Sequence, residues 1–418
     1  MNHNILYILL ISCISIAANS QTIDTVSTAA NYQNQLWYNL NNGTKTTVVG
    51  DSWDLGFQIN GTAASILANT AYGAELYRYP NGDISDWSTL DTAGISQWTS
   101  WHNSSSDWDK GAFNMGRDTA IDEDLGWGKY NHMTHAITGD SLYVWKTADG
   151  KIFKIWIQKL ASATYHFLIS DYSNHNIDTV ALAKSNFTNK DFAYYSIAQN
   201  SILDLEPANT DWDLTFGKYI ENLGMPYSVS GIRTNKRIEA VKVYPIANPD
   251  SYDSVQNYSY TSAINTIGHD WKKFDLNSST YSIQDSTVYF LKKDTVYWKL
   301  IMRGFGGSSN GDFIFEKTKI ENPTGLFKNK IQNQGAFMVY PNPTSERKIT
   351  VVADLPESTK DIQVNILSIN GKLVQSEQLK INNTFEAFPI HLSNLSQGVY
   401  FLRLNHNEGS ITKKLILK

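Results

Sequence analysis

The residues able to do chemistry are few and scattered. The one cysteine, Cys13, sits in the apolar N-terminal stretch. Beyond it no disulfide or thiolate is available, and any site must use His, Met, Asp, Glu, Tyr or Ser. His132 follows Trp127 by five residues in WGKYNH, with Met133 beside it. His102 and Met115 lie in the tryptophan-dense segment Gln97 to Gly116, QWTSWHNSSSDWDKGAFNMG. There Trp98, Trp101 and Trp108 could wall a flat ligand, or bury into their own domain. His166 and His175 flank a strand edge and read as structural, whereas His391 and His406 belong to the tail. The acidic run DTAIDEDLG, Asp118 to Gly126, lacks the alternating carboxylate spacing and glycine of a calcium loop. HExxH and P-loop patterns are absent, and no spacing singles out a carboxylate pair for glycoside hydrolysis. The expectation is a binding protein, not an enzyme.

The elements that must hold these residues are strands. The 418 residues include 12 Trp, 23 Tyr and 17 Phe, are 41% hydrophobic and only 18% charged, and carry a net charge of −5. That composition favours β structure and gives no electrostatic case for nucleic acid. A pattern recurs: SWDLGF at Ser52 to Phe57 and DWDLTF at Asp211 to Phe216. Each follows an aromatic strand and a polar turn, WYNLNNG in one case and YYSIAQN in the other. Further on, Trp127, Lys129, Tyr143, Lys146, Phe153 and Lys154 match Trp271, Lys273, Tyr289, Lys292, Trp298 and Lys299 in order. Ordered matches of this kind indicate two diverged copies of one β domain. Alternation about ADGK (148–151) and KKDT (292–295) predicts a hairpin in each copy. Within a WDL strand, Trp53, Leu55 and Phe57 should share one face, with Asp54 opposite accepting hydrogen bonds; the same holds for Trp212, Leu214, Phe216 and Asp213. The first copy is longer by about fifteen residues before its second tryptophan, where the Trp-dense segment lies. Such an insertion carries binding or simply fills a local core.

The chain divides further at its ends. Residues 1–20 read as a signal peptide, with cleavage before Gln21; LISC, Leu10 to Cys13, also fits a lipidation box loosely. No later stretch is long and apolar enough to be a transmembrane segment. The copies span 30–185 and 186–321, a polar linker 322–336, and a tail of short strands 337–418. The expected fold class is all-β, two tandem domains followed by a small β-sandwich. The triplets DTV or DTA at Asp24, Asp91, Asp118, Asp178 and Asp294 look like a short O-glycosylation acceptor pattern.

Two resemblances follow from these residues. The tail pieces VYPNPTS (339–345), VNILSINGKLV (364–374), LSQGVYFLRL (395–404) and KKLILK (413–418) resemble the type A C-terminal sorting domain of the type IX secretion system of Bacteroidota. That implies export, the secretion machinery as partner, and a secreted or cell-surface location. The pieces WYNLNNGTKTTV, SWDLGF and VWKTADGKIFKI resemble the HmuY-like family of haem-binding proteins. That resemblance implies haem as a cofactor, held between two histidines. It points to His132 and His102 in the first copy, with Met133 and Met115 as substitute ligands. In the second copy Leu276 stands where His132 does, and His269 lies outside the pattern. The alternative is a surface adhesion or glycan-binding protein on the same fold.

Overall fold

The computed structural model describes residues 21–255 and 258–320, and in the tail 336–355, 361–369, 371–381, 385–392, 395–406 and 409–418. The expected signal peptide with Cys13, and nearly all of the expected linker, lie outside the described residues. The chain forms two compact units, Met1–Asn322 and Pro323–Lys418. As expected, both are all-β.

Among the described residues the larger unit has five sheets, four of them stacked and the fifth a two-stranded hairpin, Lys272–Asp275 with Thr280–Ile283. One outer sheet has seven strands, drawn from Glu75–Arg78 through Ile177–Ala183. The inner sheet packed on it runs Ser201–Leu203, Phe192–Ser196, Leu55–Gln58, Ile66–Ala68. The second inner sheet runs Pro226–Thr234, Leu214–Asn222, Asn34–Tyr38, Lys45–Val49. The second outer sheet runs Gln21–Ser27, Asp312–Ile320, Val296–Phe305, Val288–Lys293, Glu239–Val243. Between the first two lie Leu55, Phe57, Trp127, Tyr143, Ile155 and Phe167. Between the last two lie Leu214, Phe216, Trp271, Tyr289, Leu300 and Phe315. Phe57 stacks on Phe167 at 4.7 Å, and Phe216 on Phe315 at 5.7 Å. Each such burial contributes about 1.5–3 kcal/mol, so both outer layers are firm cores.

The copies follow one another in sequence but are not separate bodies in space. Each inner sheet takes two strands from each copy. Leu55–Gln58 of the first copy pairs with Phe192–Ser196 of the second, Leu55 opposite Tyr195. Leu214–Asn222 of the second pairs with Asn34–Tyr38 of the first, Leu214 opposite Tyr38. The boundary expected at 185 therefore separates repeats, not sandwiches. The WDL aspartates fasten the exchange. Asp54 Oδ2 accepts the Ile197 amide at 2.7 Å, and Asp213 Oδ2 accepts the Leu40 amide at 2.7 Å. These are the hydrogen bonds expected of the two aspartates, but each partner belongs to the other copy. Burial pushes the Asp54 carboxyl up to about 6.

The expected common face fails at its tryptophans. The chain turns before Leu55, so strand alternation does not reach Trp53. Trp53 and Trp212 instead enter a third apolar layer between the inner sheets, with Trp37, Leu67, Phe192 and Tyr194. Both predicted hairpins are present, closed by Lys146 opposite Ile152 and by Lys293 opposite Val296. Lys154 and Lys299 are matched too. Each is buried in an outer sheet, donating to backbone carbonyls of a covering segment, Trp87 at 3.0 Å and Asp250 at 2.9 Å.

The smaller unit is the expected sandwich. Three strands (Ala336–Tyr340, Lys348–Asp354, Phe385–His391) and four (Leu373–Lys380, Asp361–Ser368, Gly398–His406, Gly409–Leu417) enclose Phe337, Ile349, Val364, Leu402 and Leu415.

Candidate functional site

The long segment of the first copy does neither of the things its composition suggested alone. It first covers an open sheet edge. Asn103 acts as a surrogate strand: its Oδ1 accepts the Ala68 amide at 2.9 Å and its Nδ2 donates to the Ala68 carbonyl at 2.8 Å. Asn114 Oδ1 accepts the Ile66 amide at 2.9 Å. Gly111 permits the approach, since a Cβ there would sit 2.1 Å from the Ile66 carbonyl oxygen. Pairing an edge this way removes open donors and acceptors. The segment then crosses to the second copy. Trp108 Nε1 donates to the Thr234 carbonyl at 2.9 Å, Ser105 Oγ to Glu221 Oε1 at 2.8 Å, and Lys236 pairs with Asp109 at 2.6 Å. Its tryptophans disperse: Trp98 meets Tyr77 and Tyr79, Trp101 meets Tyr143, and Trp108 joins the middle layer.

This crossing leaves an outer cleft of about 510 Å³. One wall is the segment from Thr99 to Ser105 with Met115; the other is the Leu214–Thr234 hairpin at Ile220, Glu221, Asn222 and Pro226. Its size suits a small-molecule ligand. Below it, a second cavity of about 40 Å³ lies in the middle layer, sharing Asn103, Ser104 and Ile220 with the cleft. Trp53, Trp108, Trp212, Glu206, Lys218 and Arg233 line this floor. Glu206 is 2% exposed and accepts the Asp191 amide, the Phe192 amide at 2.8 Å and the Tyr194 hydroxyl at 3.0 Å. Burial pushes its carboxyl up to about 8, so it is protonated at neutral pH. Arg233 lies over the Trp108 ring at 4.3 Å and the Tyr219 ring at 5.1 Å. Burial lowers the Arg233 guanidinium to about 10, where it is still charged at neutral pH.

The candidate iron ligands separate. His102 lines the cleft, with Nδ1 2.9 Å from Thr70 Oγ1 and Nε2 3.1 Å from Ser100 Oγ. Burial lowers its pKa, so it is neutral, one nitrogen donating and the other accepting. Met115 lines the same cleft. His132 is instead at an exposed hairpin tip, paired with Glu123 at 3.0 Å, with Met133 91% exposed beside it. The structure therefore brings His102 together with Met115, not with His132. Leu276 occupies the matching exposed tip of the second copy, 84% exposed. His269 meets Tyr219 at 3.3 Å. Among the described residues no three His, Cys, Asp or Glu side chains group to hold a metal ion. In the acidic run, Asp124 is used by its own turn, accepting the Asp118 and Gly126 amides at 2.9 and 2.7 Å. The triplet threonines Thr25, Thr119, Thr179 and Thr295 are exposed, and Thr92 partly so.

Sequence reading missed Arg233, Glu206 and Trp212 as site residues. A trace was present: LAN at 67–69 aligns with RTN at 233–235. Unequal hairpins hid it, because Leu55–Gln58 returns as Ile66–Ala68 while Leu214–Asn222 returns as Pro226–Thr234.

Comparison with known proteins bears mainly on the tail. Residues 338–418 match the secretion system C-terminal sorting domain family. The chain is thus exported to the outer cell surface or the surroundings, with the type IX machinery as partner, as the tail motifs implied. No curated protein matches the chain. Among solved structures, it is similar to dimeric latent PorU from Porphyromonas gingivalis at 10% identity, covering 68% of this chain and 26% of PorU, with a TM-score of 0.18. The chain thus spans about a quarter of that protein's length. A polysaccharide lyase matches at 8% identity over 96% of this chain and 46% of the lyase, TM-score 0.17. A fungal alcohol oxidase of the AA5 family, in complex with copper, matches at 10% identity over 96% and 99%, TM-score 0.15. Scores this low transfer neither fold nor function.

Proposed function

We propose that this chain is a non-catalytic binding protein, secreted or held at the cell surface, that takes its ligand in the cleft between the two copies. The carrying observation is that the first copy's insertion and the second copy's hairpin build one cleft, with a half-buried Trp101 beside Ser, Asn and Glu groups. An aromatic face flanked by fixed hydrogen-bonding groups suits a polar ligand such as a glycan unit. The glycan-binding alternative to haem thus becomes the leading reading. Binding of the intact protein to a saccharide array, with loss in Trp101→Ala and Glu221→Ala, would support it. Turnover of any polysaccharide, or binding unchanged in both variants, would sink it.

Haem, suggested by the HmuY-like resemblance, is the second reading, because two of the four expected donors, His102 and Met115, line this same cleft. Both imidazole nitrogens of His102 are engaged, so iron would have to displace Ser100 or Thr70. Haem titration should then give a Soret shift lost in His102→Ala and retained in His132→Ala. A shift lost in His132→Ala would favour the original pair.

A further inference from the structure

The cations in the floor of the cleft have no acid paired with them. Arg233 has two aromatic rings against it but, among the described residues, neither a hydrogen bond nor an ion pair with a protein group. A desolvated guanidinium without an anion is costly. Beside it, Trp212 is 3% exposed and its indole Nε1 is buried without an acceptor. Lys218 also lines the cavity; its ammonium lies 4.2 Å from the Tyr72 ring and burial lowers its pKa. Asp51 acts on it only at longer range. Two acids line the same cavity, and neither pairs with Arg233: Glu206 is held by two backbone amides and Tyr194, and Asp191 accepts from Asn209 Nδ2 at 3.3 Å. Two cations, Arg233 and Lys218, thus line about 40 Å³ of space without an ion-paired protein acceptor of their own among the described residues.

We infer that this floor receives a carboxylate, either a free acid or the acidic group of a larger ligand whose body occupies the outer cleft. A carboxylate is planar and accepts two parallel hydrogen bonds from a guanidinium, with lone pairs left for a lysine ammonium. The volume admits such a group, and the shared wall at Asn103, Ser104 and Ile220 puts its attachment toward the cleft. The repeat supplies an internal control. Arg233 lies opposite Thr215, and in the other copy Leu67 lies opposite the equivalent Gly56. The first copy fills this position with apolar bulk, so the fold does not require a cation there.

The inference rests on the cleft being the binding site, and the test separates the two. Intact protein is titrated with glucuronate, glucose and acetate, following tryptophan fluorescence, which Trp53, Trp108 and Trp212 should report. Glucuronate should bind saturably at least tenfold tighter than glucose. Arg233→Leu should keep its unfolding midpoint, or raise it, and lose that preference. Acetate binding alone would identify a free acid as the ligand; glucuronate without acetate would identify an acidic sugar. Equal binding of glucose and glucuronate, or wild-type affinity in Arg233→Leu, overturns the carboxylate inference and leaves the cleft reading standing. Absence of any binding by all three overturns the inference, and the saccharide array then decides the cleft separately.

Discussion

Leu67 and Arg233 hold the same place in two copies of one fold. Both sit opposite the middle residue of a WDL strand and both face the layer between the inner sheets. One completes an apolar core; the other puts a charge beside a cavity. The same contrast recurs at the edges. The first copy's edge strand is paired by side-chain amides from Asn103 and Asn114, while the second copy's is paired by backbone, Ile232 with Gly268 at 3.0 Å both ways and Thr234 with Ile264 at 2.8 Å. Duplication supplied two equal halves, and their divergence is concentrated where the halves meet. Outer layers kept Phe57 with Phe167 and Phe216 with Phe315, because close packing tolerates little change there.

The symmetric part should break hardest. Trp53→Ala should cost about 3–5 kcal/mol in chemical denaturation, because it empties the layer both copies share. A loss under 1 kcal/mol would show that the exchanged sheets are held elsewhere. Next comes the asymmetric acid. The folded chain keeps the Glu206 proton up to about 8, against an ordinary value of 4.5. Its contribution to stability is complete below about pH 4.5 and is lost as pH rises through 8. Relative to Glu206→Gln, wild type should lose about 3–4 kcal/mol between pH 5 and pH 8.5. Parallel curves for the two proteins would contradict this.

The paired aspartates sharpen the comparison further. Asp213 joins Lys293 at 2.6 Å as well as the Leu40 amide. Asp213→Ala should therefore cost about 2–3 kcal/mol. Asp54 has no such cation, and its removal also relieves a buried charge, so Asp54→Ala should cost only about 1 kcal/mol at pH 7. Equal losses would mean that the lysine contributes nothing. The smallest effect belongs to His132→Ala, which breaks only an exposed pair with Glu123 and should leave the thermal unfolding midpoint unchanged.

Much of this was legible in the residues. Ordered matches pointed to two copies of one domain, period-two alternation revealed the hairpins, and turn-bounded strands revealed the tail. Those features are local, set by backbone periodicity and turn chemistry within a few residues. Legibility stopped at the site. Trp53 was expected beside Leu55, but a turn rather than a strand precedes Leu55. His102 and His132 stand only thirty positions apart, yet one lines the cleft and the other tips an exposed hairpin. Alternation assigns a residue to a face of its strand, not to a partner sheet.

The sequence by itself determined that this chain is all-β and carries a sorting tail, since each of these is written in short-range pattern. Only the tertiary structure decided that the copies exchange strands and that the insertion reaches Thr234 and Glu221. It also decided that Arg233 stands without an acceptor beneath a cleft. Those facts depend on which of two near-identical edges each strand pairs with. Residues more than a hundred positions apart settle that choice, through hydrogen bonds such as Asp54 to Ile197 and Asp213 to Leu40.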